Sequence, residues 1–206
     1  MSREERPHWV PEPIPVLILA AGVASRFGSD KLLAEVAGQP LLAWTIEAVL
    51  ECVQQDHAVV LLAAREDMKA DLCENAGMPT HVVDHADRGM AWTLRGGLTA
   101  CPPDVPGAIV VLADDPMAIA ALPGVLATAR RSPTRIVAVR RDPFVPHPVY
   151  LPRADWPTGP IDHGDRGLRD LLNDDCLWID DEGPVPVDVD TPEDASTLER
   201  LLRGST

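Results

Sequence analysis

Apolar residues along this chain fall into short unbroken runs separated by stretches with helical spacing. Val16–Ala20 is such a run, bounded by Ala21 and Gly22, and its lack of alternation suits a strand covered on both faces. Pro40 opens the next segment, where Leu42, Ile46, Val49, Leu50 and Val53 share one helical face. His57–Ala63 predicts a second buried strand, Glu66–Asn75 a helix, and Thr80–Val83 a third strand. Met90–Cys101 has helical spacing, against which Gly96 and Gly97 weigh. Ala108–Ala113, Ala118–Arg131 and Arg135–Val139 continue as strand, helix and strand. This alternation predicts parallel β-α units, and so a three-layer α/β/α, Rossmann-like domain with a mainly parallel sheet. After Pro143 the pattern loosens into strand-like Val149–Leu151, a polar Gly/Asp stretch, a short helix near Leu168–Leu172 and strand-like Val185–Val189. A last amphipathic helix is expected over Pro192–Arg203, capped by Thr191 with Glu193 and Asp194 in its first turn.

Length changes this picture little: 206 residues is close to one domain at roughly 150 residues each, and no repeat or linker divides the chain. Pro7, Pro11, Pro13 and Pro15 make residues 1–15 an extended or disordered lead-in, with 16–206 as a single domain. Charge narrows the partners. The net charge is −14, and residues 155–206 hold fourteen acids against four basic residues. Such a surface repels phosphate backbones and anionic lipid, which argues against nucleic-acid and membrane partners. No apolar stretch approaches the ~20 residues of a membrane span, and no leader pattern is visible, so a cytoplasmic protein is expected. Cys52, Cys73, Cys101 and Cys176 form no C-x-x-C and lack a His at metal-ligand spacing. They are expected to be reduced and mostly buried.

One turn stands out chemically. Leu19-Ala20-Ala21-Gly22-Val23-Ala24-Ser25-Arg26-Phe27-Gly28-Ser29-Asp30-Lys31 follows the first strand directly. Small residues at Ala20, Ala21 and Gly22 let backbone amides come close to a ligand, while Arg26 and Lys31 supply positive charge. In an acidic chain whose only lysines are Lys31 and Lys69, that combination favours a polyphosphate. The spacing fits neither G-x-x-x-x-G-K-[ST] nor G-x-G-x-x-G, so spacing alone leaves an ordinary β-α turn with a surface Arg and Lys equally open. Asp114, at the end of the fourth apolar run, lies where open α/β sheets present ligand-binding groups. Mg²⁺ takes one or two protein carboxylates besides phosphate oxygens and water, and Asp188 or Asp190 would supply the second. Asp190 also reads as the lead-in to an ordinary helix start.

The turn resembles the L-A-[AG]-G-x-S-x-R-[MF]-G-x-x-K signature of nucleotidyltransferases of the nucleotide-diphosphosugar transferase fold. Within them it is most similar to the molybdenum-cofactor cytidylyltransferases, the MocA-like group. Ala24 departs from the Ser often found there. Gly89-Met90-Ala91-Trp92-Thr93-Leu94-Arg95-Gly96-Gly97-Leu98 is similar to G-M-x-x-S-L-R-x-G-L, and Val111-Leu112-Ala113-Asp114-Asp115-Pro116 to L-L-A-D-Q-P with Asp115 for Gln. His147-Pro148-Val149, preceded by Pro146 in place of Gly, then Gly164-Asp165-Arg166-Gly167-Leu168-Arg169-Asp170-Leu171-Leu172, resembles G-H-P-V and G-D-x-G-A-R-x-L-L. Val187-Asp188-Val189-Asp190-Thr191-Pro192-Glu193-Asp194 resembles D-I-D-T-P-E-D.

The resemblance implies an Mg²⁺-dependent enzyme that transfers CMP from CTP to a small phosphorylated acceptor, molybdopterin first among them, and releases pyrophosphate. It implies nucleotide contacts by Leu19, Ala20, Ala21, Gly22, Arg26, Lys31, Gly89 and Thr93, with Arg26, Lys31 and Asp114 as the catalytic set. It points to Asp114 and Asp190 for the metal and to His147, Asp165 and Arg169 for the acceptor. Asp115 reads as supporting Asp114 or facing outward, Asp84 as a ribose contact, and Trp92 as a core or pocket-rim residue. In the comparison, Ala21 looks like the cytidine-using version and Gly the guanosine-using one. Two alternatives stand: a guanylyl- or cytidylyltransferase for another phosphorylated small molecule, and a non-catalytic accessory protein that matures a client molybdoenzyme.

Overall fold

In chain order the strands are β1 (Val16–Leu19), β2 (Glu35–Val36), β3 (Gln39–Pro40), β4 (Ala58–Leu62) and β5 (Thr80–Val82), followed by β6 (Gly107–Leu112), β7 (Val137–Arg140), β8 (Val149–Pro152) and β9 (Leu177–Asp180). The helices are α1 (Leu41–Cys52), α2 (Asp67–Asn75), α3 (Met90–Ala100), α4 (Leu122–Arg131) and α5 (Pro192–Gly204). This computed structural model describes residues 14–21, 30–140, 147–157, 171–173, 175–180, 187, 189 and 191–204.

Seven strands form one sheet in the order β5-β4-β1-β6-β8-β7-β9. β5, β4, β1 and β6 run parallel, β8 is antiparallel to both β6 and β7, and β9 returns parallel to β7. Alternation along β1 divides its side chains between two layers. Val16 and Ile18 face a core closed by α1, α2, α4 and α5, while Leu17 and Leu19 face one closed by α3. All four are buried, which explains why the strand reads as an unbroken apolar run. The expected three-layer α/β/α architecture with a mainly parallel sheet is what forms. No described helix is long and apolar enough to cross a membrane.

The departures have local causes. The helix expected over Ala118–Arg131 splits into a 3-10 turn at Pro116–Ala121 and α4, with Pro123 at the start of the latter. Proline lacks the N–H that would carry a continuous α-helix through that point. β9 was not expected. It is a short strand at the sheet edge whose residues are half-exposed, so it leaves no apolar run to read. The β2–β3 hairpin is two residues a side and turns at Ala37 and Gly38, both at positive φ. The short helix near Leu168–Leu172 and the strand expected over Val185–Val189 lie mostly outside the described residues. Thr191 does cap α5: its hydroxyl accepts from the Asp194 amide at 3.2 Å, and Asp194 Oδ2 accepts from the Thr191 amide at 2.8 Å.

Burial governs the cysteines. Cys73, Cys101 and Cys176 are buried and Cys52 is half-buried, and none is in a disulfide. Burial pushes the Cys101 thiol up to about 12 and that of Cys73 to about 11, so both stay protonated near neutrality and act as small core side chains.

Gly96 and Gly97 are the price of bringing α3 onto the sheet. A Cβ on Gly96 would lie 2.3 Å from Val83 Cγ1, and one on Gly97 would lie 2.3 Å from Leu61 Cδ1. Close approach, not weak helix formation, accounts for both glycines. We therefore expect Gly97→Ala to destabilise the fold by about 1–3 kcal/mol, the range typical of overpacking, despite the better helix propensity of alanine. Denaturant unfolding should show a lower midpoint at unchanged slope.

Candidate functional site

Because β1, β4, β5 and β6 are parallel, the segments that leave their carboxyl ends gather along one edge of the sheet. Ala20 and Ala21 leave β1 there, Gly89 follows β5, and Asp114 follows β6. β8 runs the other way, so His147, which precedes it, enters from the same edge. The chain at Asp114 is held from three sides. The Ala113 amide donates to the Leu19 carbonyl at 3.2 Å, and the buried Thr45 hydroxyl donates to the Ala113 carbonyl at 2.7 Å. The Val189 amide donates to the Asp114 carbonyl at 3.5 Å, which brings the segment expected to supply the second carboxylate alongside Asp114.

Lys31 and Asp114 meet across the gap between β1 and β6. Asp30 caps the 3-10 turn Lys31–Leu33 by accepting the Leu32 amide at 3.1 Å, and Lys31 Nζ then lies 2.6 Å from Asp114 Oδ2. Both side chains are less than a fifth exposed, so the pair is only partly screened by water. An ammonium seated on this carboxylate occupies the kind of place a divalent cation takes, and a carboxylate at a sheet's carboxyl edge is an oxygen donor of the type Mg²⁺ prefers. The residues present fit such an ion. Among the described residues no three His, Cys, Asp or Glu side chains cluster as a ready-made cage.

Lys69, which sequence reasoning passed over, sits beside this pair. It is 1% exposed, and its ammonium donates to the Ala20 carbonyl at 2.8 Å and to Glu66 Oε1 at 2.5 Å, with Asp30 Oδ2 at 3.1 Å. Glu66 Oε2 accepts from the Ala63 amide at 2.7 Å. A signal was available: Lys69 precedes the buried Cys73 by four residues and so lies on the inward stripe of α2. A lysine in that register needs acidic partners.

Gly89 takes φ +117°, a conformation natural to glycine, and precedes α3. Its carbonyl accepts the Trp92 and Thr93 amides. The Thr93 side chain is fully buried, yet its hydroxyl has no hydrogen-bond partner among the described residues. The hydroxyl is thus not tied to the backbone of its own helix. Trp92 is half-buried, with Arg88 stacked at 5.0 Å and His85 meeting it edge-on at 5.7 Å. Asp84 is exposed.

Asp115 is not outward-facing. It is 1% exposed, accepts the Ala118 amide at 3.2 Å, and has Oδ2 3.8 Å from His147 Nε2. His147 is itself buried, with its ring beside the Asp115 carboxylate. The structure thus brings Leu19, Ala20, Ala21, Lys31, Gly89, Thr93, Asp114 and His147 to one sheet edge. Gly22, Arg26, Asp165, Arg169 and Asp190 lie outside the described residues, as do Ala24 and Pro146.

The chain is 34% identical over 111 residues to the bifunctional protein GlmU of Mycobacterium avium, a match that spans 51% of this chain and 23% of the relative. It is 41% identical over 54 residues to the probable molybdenum cofactor guanylyltransferase of Thermococcus sibiricus, 26% of this chain and 27% of that one. The matches thus span about a quarter of the length of these curated relatives. Among solved structures, Rv0371c of Mycobacterium tuberculosis is similar with a TM-score of 0.76 at 26% identity, covering 92% of this chain and 99% of that one. A manganese complex of Rv0371c has a TM-score of 0.74 at 25% identity, with the same coverage. The family profile of the MobA-like NTP transferase domain matches residues 16–181, from the first strand to just past the last, and the chain belongs to that family.

Proposed function

We propose that this protein is a metal-dependent nucleotidyltransferase that transfers CMP from CTP to a small phosphorylated acceptor, a molybdopterin-type cofactor first among them. The observation that carries this reading is the Lys31–Asp114 pair, 2.6 Å apart where β1 and β6 end. A phosphate oxygen of the acceptor attacks the α-phosphorus of the triphosphate. The bond from that phosphorus to the bridging oxygen breaks, and pyrophosphate leaves with the electron pair. A phosphomonoester is already ionised near neutrality, so the reaction asks for no general base, and positioning and charge neutralisation carry the rate. Lys31 supports the second role: its ammonium exchanges the Asp114 carboxylate for phosphate oxygens when nucleotide enters. Asp114, with Asp190 as the proposed second ligand, would hold Mg²⁺, which neutralises phosphate charge when bound. Amides at Ala20–Gly22 and the Arg26 guanidinium would cradle the triphosphate. His147, Asp165 and Arg169 would form the acceptor side.

The base is read from Ala21, whose counterpart in the guanosine-using version of the motif is glycine. The buried hydroxyl of Thr93, beside Gly89, is the group offered to the base or ribose. GTP is the second reading. It is favoured by the 41% identity to a protein described as a probable molybdenum cofactor guanylyltransferase, over a segment of 54 residues.

Three measurements test this. Lys31→Ala should cost about 2–4 kcal/mol in kcat/KM, roughly 30- to 1000-fold, with an unchanged thermal melt, because Lys31 lies outside the core. Wild-type kinetics in that variant would remove the phosphate role. Asp114→Asn should raise the Mg²⁺ concentration for half-maximal activity at least about tenfold, and an unchanged metal requirement would remove Asp114 from the site. CTP should outcompete GTP as donor, and Ala21→Gly should erode the preference; equal use of both by the parent protein would overturn the base assignment.

A further inference from the structure

Lys69 belongs to neither the metal nor the substrates in the reading above, and its surroundings give it a different task. Its side chain is buried, and a buried ammonium is costly unless each of its three protons finds an acceptor. Here three acceptors are at hand: the Ala20 carbonyl at 2.8 Å, Glu66 Oε1 at 2.5 Å and Asp30 Oδ2 at 3.1 Å. Ala20 is where the chain leaves β1, and Asp30 is the cap of the turn that carries Lys31. Glu66 ties the same ammonium to the end of β4 through the Ala63 amide. One positive charge therefore clasps both ends of the segment that carries the proposed phosphate contacts, and anchors them to a neighbouring strand.

We infer that Lys69 is a positioning residue for the triphosphate, acting by fixing the distance between Ala20 and Asp30 and through Asp30 the place of Lys31. This rests on the nucleotide-binding reading of the β1 turn. The connection is short. Asp30 precedes Lys31, and its Oδ1 accepts the Leu32 amide while Oδ2 faces Lys69. Releasing Asp30 would thus disturb the turn from which Lys31 reaches Asp114. A displacement of about 1 Å in a group that must meet a phosphate oxygen is enough to cost about two orders of magnitude. Removing Lys69 would also leave the Glu66 and Asp30 carboxylates facing each other without a counter-charge, beside a site meant for an anion.

The test is calorimetric binding of CTP and of GTP, each with Mg²⁺, to the full chain. Wild type should bind at least one of them. Lys69→Met keeps the length and apolar stem of the side chain, and should raise the dissociation constant about 10- to 100-fold in protein that still melts cooperatively. Asp30→Asn keeps the acceptor for the Leu32 amide but removes the charge facing Lys69, and should weaken binding in the same direction by a smaller factor. A merely structural lysine predicts otherwise: a lower melting temperature with wild-type affinity in the folded fraction. That result overturns the positioning role while leaving the site intact. If Lys69→Met does not fold, Asp30→Asn decides, and unchanged affinity in it overturns the role. If wild type binds neither nucleotide, the reading of the turn fails and this inference falls with it.

Discussion

β1 is held between two parallel neighbours, with Leu19 level with Leu61 of β4 on one side and Leu112 of β6 on the other. That register decides where everything chemical can be. It brings the turn after β1 and the aspartate after β6 to the same height on one edge of the sheet, two residues beyond paired leucines. Because β1 is buried on both faces, slipping its register by one residue would exchange Val16 and Ile18 with Leu17 and Leu19 between the two cores. The packing forbids such a slip. The geometry of Lys31 and Asp114 is thus secured by hydrophobic burial well away from either charge.

The edge itself is organised by charge. Lys31 and Lys69 are the only lysines in a chain of net charge −14, and both lie within hydrogen-bonding reach of carboxylates at the end of β1. They differ in what surrounds them. Lys31 keeps some water access beside its short contact to Asp114, which suits an ammonium that would trade one anion for another in the proposed reaction. Lys69 is enclosed and three-coordinate, so it stays. A partly exposed cation beside an enclosed one suits the proposed binding and release of a polyanion.

The long, fully buried elements were legible from sequence because burial on both faces leaves an unbroken apolar run and helices leave a stripe. β1, β4, β6 and α1 all began and ended within two residues of expectation. The edge strand β9 and the β2–β3 hairpin were not legible, since half-exposed pairs of residues leave neither pattern. Lys31 and Asp114 were visible as a charged turn and a strand-end carboxylate. That they touch was not, because contact depends on the sheet order. Lys69 and Asp115 were misjudged or passed over for one reason: a charged residue in sequence looks like surface. Only the three-dimensional placement shows what these two meet inside: acceptors around the Lys69 ammonium, and the Ala118 amide and the His147 ring beside Asp115.

The position of β8 has a consequence for how the sheet comes together. β7 is made before β8, yet its two neighbours in the sheet, β8 and β9, both come later in the chain. When residues 137–140 first exist, no earlier strand is available to pair with them, and β6 still has an open side. Residues 149–152 are wedged between two strands that precede them in the chain, and only β9 is then added at an outer edge. Pairings of that kind pay loop-closure entropy before they are rewarded, and they slow folding. Half of the site, from β5 to β6, can be assembled by the first 114 residues, whereas His147 is delivered only when the wedge goes in.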